Sequence, residues 1–255
     1  MGGRLAAAVS EPSPRDRFVT VYGRKPVLEA LCDLRLSVDK LLIADNARGQ
    51  GLDELVVAAG RRGVEVRRVS QRQVTRISRN GRHDQGVVAD VVAPALRRLA
   101  PEVAAALAGP VLVLDGITNP QNVGMILRTA TAAGVAGVVV PRVGVADLGP
   151  LVIKASAGVA FEAPVLRCED VSEGVEALRS AGFRVFGLVA ECERTLWDPR
   201  PYPERAAFVL GSESGGLSID VDEQLCIPMA GRVESLNVAV AAGVLCFELV
   251  RRQVS

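Results

Sequence analysis

The chain has 255 residues, 49% of them hydrophobic and 23% charged, which fits a soluble globular protein of one large domain or two modest ones. No apolar run reaches the about 18 residues a membrane-spanning helix needs, and the start, Met1 to Ala6 with Pro12 and Pro14 soon after, lacks the apolar core of a signal peptide. The net charge of +1 hides a division: residues 1–100 carry 18 Lys/Arg against 11 Asp/Glu, a net +7, and the other 155 carry 12 against 18, a net −6.

In chain order, residues 1–17 are expected to form a flexible tail. Residues 18–93 are predicted to be a compact α/β unit. Within it, Val38–Ala44 reads as a strand. Leu52–Arg62 reads as a helix with Leu52, Leu55, Val56 and Ala59 on one face and glycines at its end. Residues 64–69 alternate as a half-exposed strand, and residues 86–92 form another. The basic excess is densest at 61–82, where Arg61, Arg62, Arg67, Arg68, Arg72, Arg76, Arg79 and Arg82 face Glu65 alone. Such a block can neutralise the phosphates of a polyanion, or it can be a solvated basic face. Residues 94–105 are expected to be a linker that lets the front unit swing. From 106 onward, apolar runs at 111–114, 137–140, 184–189, 206–210 and 225–228 alternate with helical segments near 122–133, 171–181 and 237–252. Alternation of that kind predicts a mostly parallel sheet covered by helices. The last helix is apolar nearly all round until Glu248, so it is expected to be buried in the core or in a subunit interface. The cysteines, Cys32, Cys168, Cys192, Cys226 and Cys246, form no CxxC pair. They read as free thiols of a cytoplasmic protein rather than as ligands of a metal.

Three segments carry polar residues that need a reason. Asp115-Gly-Ile-Thr-Asn-Pro-Gln-Asn122-Val-Gly-Met-Ile-Leu-Arg128 follows a buried strand and places Asn122 and Arg128 six residues apart. Val209-Leu210-Gly211-Ser-Glu213-Ser-Gly-Gly-Leu-Ser218 is a strand ending in a Gly/Ser turn around one carboxylate. Ile227-Pro-Met229-Ala-Gly-Arg-Val-Glu-Ser235-Leu236-Asn237 leads into the last helix, with Ser235 placed as an N-cap.

In this order and spacing the three segments closely resemble the motifs of the SpoU/TrmH family of RNA ribose 2′-O-methyltransferases, in the SPOUT class. At the front, Val21-Tyr-Gly-Arg24-Lys-Pro-Val-Leu-Glu-Ala-Leu31 and Gln85-Gly-Val-Val-Ala89 look like the small RNA-binding domain, akin to a ribosomal protein fold, that many members carry. The resemblance implies an α/β trefoil-knot domain over 106–255, with its last helix threaded through a loop. It also implies a homodimer with an active site shared between chains, and S-adenosylmethionine bound in the knot. By motif position, cofactor contacts are expected from Gly187, Leu188, Val189, Leu210, Gly211, Ile227, Met229, Ser235 and Leu236. Glycine-rich turns offer backbone groups to an adenine edge and a carboxylate, and small apolar side chains can sandwich the ring.

Arg128 matches the family's catalytic arginine, and Asn122, Glu213, Ser235 and Asn237 match the polar residues around it. Taken singly, Arg128 could be a surface ion-pair partner, Asn122 a helix cap, Glu213 a surface carboxylate, and Ser235 and Asn237 the caps of the last helix. Arginine stays protonated, so its expected part is to clamp the phosphate beside the target ribose, with that phosphate or Glu213 taking the proton. Arg24 and the eight arginines of 61–82 are expected to hold RNA backbone, and His83 to touch RNA or cap a turn. The activity implied is methylation of a ribose 2′-hydroxyl, most readily on 23S ribosomal RNA. A tRNA substrate, self-protection from a ribosome-targeting antibiotic, and a non-catalytic assembly factor are the alternatives.

Overall fold

The computed structural model describes residues 17–93, 95–212, 215–230 and 233–254. The expected tail, apart from Arg17, and Glu213 lie outside them.

The front unit is a four-stranded sheet in the order β1-β4-β2-β3. Its elements are β1 (Phe18–Tyr22), α1 (Arg24–Cys32), β2 (Val38–Ala44), α2 (Leu52–Arg61), β3 (Glu65–Val69), α3 (Gln71–Ser78) and β4 (Val87–Val92). β4 is antiparallel to both its neighbours, whereas β2 and β3 run parallel because α2 crosses between them. Buried Asp84 fixes α3 by accepting from Ser78 Oγ at 2.9 Å, from Thr75 Oγ1 at 3.3 Å and from the Gly86 amide at 2.9 Å. That network sets the helix that carries Arg72 and Arg76.

The expected linker is itself folded. It forms β5 (Arg97–Arg98) and α4 (Pro101–Ala105), with Leu96 and Leu99 buried. β5 pairs with a strand of the second sheet, so these residues are edge structure and not free chain.

The second sheet has seven parallel strands in the order β11-β9-β10-β6-β7-β8-β5. Its further elements are β6 (Val111–Leu114), α5 (Pro120–Ala132), β7 (Gly137–Val139), α6 (Pro150–Ala155), β8 (Val165–Arg167), α7 (Val171–Ser180), β9 (Arg184–Val189), β10 (Ala206–Leu210), β11 (Glu223–Cys226) and α8 (Val238–Val254). Every residue of β6 and of β10 is buried, as continuous apolar runs at the centre of a covered parallel sheet should be. Val111 and Val113 join the core beneath α4 and α7, while Leu112 and Leu114 join the core on the opposite face with α5 and α8. α8 is not buried all round: Val240 and Phe247, seven residues apart, are about half exposed at 53% and 54%.

The connection between β9 and β10 is held on two sides. Leu196 N donates to Cys226 O at 2.8 Å, and Arg252 of α8 donates to the carbonyls of Leu196 and Asp198 at 2.7 Å. Arg252 also lies over the Tyr202 ring, which meets Phe186 and Phe208 edge-on. Cys168 and Cys246 are buried, and burial pushes both thiols up to about 12. Cys32 is exposed at the end of α1. No helix among the described residues is long and apolar enough to cross a membrane.

α5 and α6 touch through Gly124, where a Cβ would lie 2.6 Å from both Ala155 Cβ and the Val152 carbonyl. Gly60 in α2 is open: a Cβ there would meet nothing within 4 Å. Gly124→Ala is therefore expected to lose about 1–3 kcal/mol through overpacking, while Gly60→Ala gains about 0.5–1 kcal/mol from helix propensity. Urea unfolding of the two variants should move in opposite directions.

Candidate active site

In an open α/β sheet, ligands bind beyond the carboxyl ends of strands, near the point where strand order reverses. Here the reversal falls between β6 and β10: the chain goes from β6 outward to β7 and β8, then returns to build β9, β10 and β11 on the other side. The two central strands end in loops that are tied together. Asp115, just past β6 and 3% exposed, accepts from the Ser218 amide at 2.5 Å and from Ser218 Oγ at 2.7 Å. Asp115 N in turn donates to Leu210 O at 2.9 Å. The turn after β10 closes on itself through reciprocal backbone bonds between Ser212 and Gly216. Gly211 has no alternative there, because a Cβ would lie 2.4 Å from the Gly216 carbonyl oxygen.

The helices α5 and α8 meet above these loops. Asn119 caps α5 by accepting from Gln121 N at 2.9 Å, so Asn122 is not the cap. Asn122 is buried in the first turn, and its Oδ1 accepts from Asn237 Nδ2 at 3.1 Å. Asn237 Oδ1 accepts from the amides of Ala239 at 3.0 Å and Val240 at 3.4 Å. Asn237 therefore caps α8, and the expectation that Ser235 is the cap is corrected: the chain at 233–237 is not yet helical.

Between the strand ends and the start of α8 lies a recess. Leu188, Val189, Leu210, Gly211, Ile227, Met229, Ser235 and Leu236, all expected to meet a cofactor, line it, and Ala190, Ser212, Gly216, Val238 and Ala241 complete the wall. Gly187 is not among the lining residues, because its Cα faces Leu217 and Val221 on the far side of β9. The lining is apolar side chain and strand-end backbone with hydroxyls from Ser212 and Ser235, and carries no charged side chain among the described residues. That chemistry suits a flat, neutral heteroaromatic ring and a thioether, with backbone groups left to read polar edges. Among the described residues no three His, Cys, Asp or Glu side chains gather as a ligand set for a metal ion.

Arg128 stands elsewhere. It is exposed on α5, one turn beyond the exposed Met125, and is not part of the recess wall. The structure thus brings Asn122 and Asn237 together, sets Ser235 in the recess and leaves Arg128 facing outward. Asp115 is a site residue that the motifs do not single out. Its signal is a carboxylate at the end of an otherwise apolar strand, which must find donors once buried.

The expected RNA-binding arginines also divide. Arg61, Arg72, Arg76 and Arg82 are exposed and carry no hydrogen bond or ion pair among the described residues. Arg67 is held by Glu65 in a bidentate pair at 2.7 Å, and Arg68 reaches the Ala44 carbonyl. Arg79 comes within 4.0 Å of Asp147. Arg24 and Arg62 are structural. Arg24 donates to the carbonyls of Arg48 and Gln50, and Arg62 closes the end of α1 through the carbonyls of Ala30, Leu31, Asp33 and Leu36.

Residues 109–247 match the model of the SpoU rRNA methylase family, and residues 20–96 match that of the RNA 2′-O ribose methyltransferase substrate-binding domain. The chain belongs to the SpoU rRNA methylase family. Among curated members it is 37% identical over 225 residues to the 23S rRNA (guanosine-2′-O-)-methyltransferase RlmB of Xanthomonas axonopodis pv. citri, covering 85% of this chain and 90% of that protein. It is 34% identical to a tRNA/rRNA methyltransferase of uncharacterised activity from Mycolicibacterium vanbaalenii, over 99% of this chain and 83% of the other. A solved TrmH-family structure from Porphyromonas gingivalis superposes with a TM-score of 0.60 at 30% identity, covering 93% of this chain and 91% of its own. The SpoU methyltransferase AviRb of Streptomyces viridochromogenes, solved with AdoMet, shares the fold with a TM-score of 0.60 at 24% identity, covering 97% of this chain and 95% of that one.

The Asn237–Asn122 contact generates a stability test. Asn237→Ala removes the α8 cap and leaves the buried Asn122 amide without that partner, so a loss of about 1–3 kcal/mol is expected. Asn237→Ser, which keeps a capping oxygen, should recover part of it in urea unfolding.

Proposed function

We propose that this SpoU-family chain is an S-adenosylmethionine-dependent RNA methyltransferase that methylates a ribose 2′-hydroxyl of 23S ribosomal RNA. The observation that carries the reading is the uncharged recess at the ends of β9, β10 and β11, walled by eight of the nine residues at the family's cofactor positions. The RlmB relatives at about this length and identity point to ribosomal RNA and to guanosine.

The cofactor would lie in the recess, with Leu188, Leu210, Ile227 and Leu236 against its ring and the Gly211 turn at its polar end. When bound it supplies an electrophilic methyl group on a positively charged sulfur. The apolar wall excludes water, which favours a transition state in which that charge disappears. The hydroxyl is a weak nucleophile, so most of the catalytic effect must come from holding it in line with the methyl. Arg128 clamps the phosphate next to the target ribose through its planar guanidinium. The proton passes to that phosphate or to Glu213.

Because Arg128 faces away from the recess of its own chain, we assign it to the recess of a second copy. The support is the exposed apolar set on the paired helices, Met125 of α5 with Val240 and Phe247 of α8, which a homodimer would cover. The 190–205 connection is taken as the loop through which the C-terminal segment is threaded, supported by its ties to Cys226 and Arg252. The front unit, with Arg61 of α2, Arg72 and Arg76 of α3 and Arg82 of the following loop exposed, gathers RNA onto the enzyme.

Arg128→Lys separates clamp from cofactor binding. Isothermal titration with S-adenosylmethionine should give an unchanged affinity, while methyl transfer to ribosomal RNA should fall at least about a hundredfold, since a lysine cannot make the bidentate contact. Near-full turnover in the variant would overturn the clamp.

A further inference from the structure

A second cavity, of about 860 Å³, lies between the front sheet and the N-terminal end of α5, away from the recess. One wall is β1 and α3, with Phe18, Tyr22, Arg76 and Arg79. The other comes from the methylase part, with Thr118 and Pro120 at the start of α5, then Arg142 and Leu151.

The charges are uneven. Five cationic side chains, Lys40, Arg76, Arg79, Arg142 and Arg167, meet two carboxylates, Asp90 and Asp147. Two of the five are engaged in the floor: Lys40 pairs with Asp90 at 3.0 Å, and Arg167, 4% exposed, donates to Asp147 at 3.1 Å. Arg76 has no hydrogen bond or ion pair among the described residues, and Arg79 reaches only the outer oxygen of Asp147, at 4.0 Å, with both side chains mostly exposed. The cavity thus offers net positive charge beside the Tyr22 ring, while the Phe18 ring is already faced by Arg17 and Lys40 at 5.3 and 5.4 Å. Arginines next to aromatic faces are the combination that holds unstacked nucleotides: the rings take the base and the guanidinium groups take the phosphate. The volume falls in the range of pockets that enclose a small ligand, roughly 300–1,000 Å³.

We propose that this cleft is a nucleotide subsite distinct from the methyl-transfer site, taking one unstacked nucleotide of the RNA substrate that flanks the methylated one. It rests on the reading of the chain as an RNA methyltransferase. Its base lies against Tyr22, whose hydroxyl accepts from Asn80 beside Arg79, and its phosphate on Arg76 and Arg79. Thr118 and Pro120 form the cleft edge, and Arg128 lies eight residues along the helix that starts there, about 12 Å at 1.5 Å per residue. The RNA strand therefore passes from the front sheet onto the catalytic helix through the cleft, and both parts of the chain grip the same strand.

Two variants and one cross-linking experiment test it on the full chain. Leu151→Trp fills the mouth of the cleft from a side chain that is 58% exposed, without changing any charge. Arg76→Ala/Arg79→Ala removes the phosphate contacts. Both are expected to weaken binding of a fluorescein-labelled 23S ribosomal RNA fragment at least tenfold, with S-adenosylmethionine affinity by calorimetry unchanged. In the wild-type chain, RNA carrying 4-thiouridine should photo-cross-link to the peptide containing Phe18 and Tyr22. Wild-type RNA affinity in Leu151→Trp, or cross-links confined to the outer arginines such as Arg61 and Arg72, would overturn the subsite. A wild-type chain that binds the RNA through the cleft but takes up no S-adenosylmethionine would instead overturn the methyltransferase reading, so the two failures are distinguishable.

Discussion

A single amide pair, Asn237 Nδ2 to Asn122 Oδ1 at 3.1 Å, joins two helices whose starts are 118 residues apart in sequence. The bond itself contributes only about 1 kcal/mol net. Its consequence is larger, because Asn122 is buried in the first turn of α5 and Asn237 is at once its partner and the cap of α8. The same side chain therefore decides where α8 begins and how α8 sits against α5. Leu236 and Ser235, the residues immediately before the cap, are thereby set over the ends of β9, β10 and β11, which closes the recess.

The floor of that recess depends on a second constraint of the same kind. Asp115 ends an apolar strand in the core and must accept hydrogen bonds there; it takes both from Ser218, across the turn that follows β10. With that turn drawn in, the chain at Gly211 passes so close to Gly216 that only a glycine fits. Two buried polar residues, each satisfied by a partner more than 100 residues away, thus hold three loops in one place. Charge is segregated around this neutral centre: Arg61, Arg72, Arg76 and Arg82 lie exposed on the front unit, and the wall of the recess carries no arginine among the described residues. In the proposed function a polyanion is attracted to one part of the molecule and the sulfonium cofactor is received in another.

Much of this was legible in the sequence. The fully apolar runs at 111–114 and 206–210 read as strands of a covered parallel sheet, and they are its two central strands. The residues that the family resemblance marks for a cofactor, from Leu188 to Leu236, line one recess apart from Gly187, whose turn toward Leu217 depends on strand facing that a single glycine does not announce. The short elements escaped: β5, α6 and β8 have two to six residues each, too few to show a period, and are stabilised by long-range pairing. The stretch 94–105 read as a linker because its Pro and charged residues mask Leu96 and Leu99, which are buried only once β5 pairs with β8. The basic run at 61–82 read as one surface, yet Arg62 turns inward to the end of α1. Composition reports how many arginines there are, and local hydrogen bonding decides which of them face solvent.

The central claim, that the recess delivers a methyl group to a ribose hydroxyl, is tested most directly by the chemistry of the product. Unmethylated 23S ribosomal RNA would be incubated with the purified chain and S-adenosylmethionine labelled in its methyl group, then hydrolysed in alkali, which cleaves only where a free 2′-hydroxyl is present. The account predicts label in an alkali-resistant dinucleotide from a single position. Label released as a base-methylated mononucleotide, or no transfer by a chain that binds both RNA and cofactor, would contradict it.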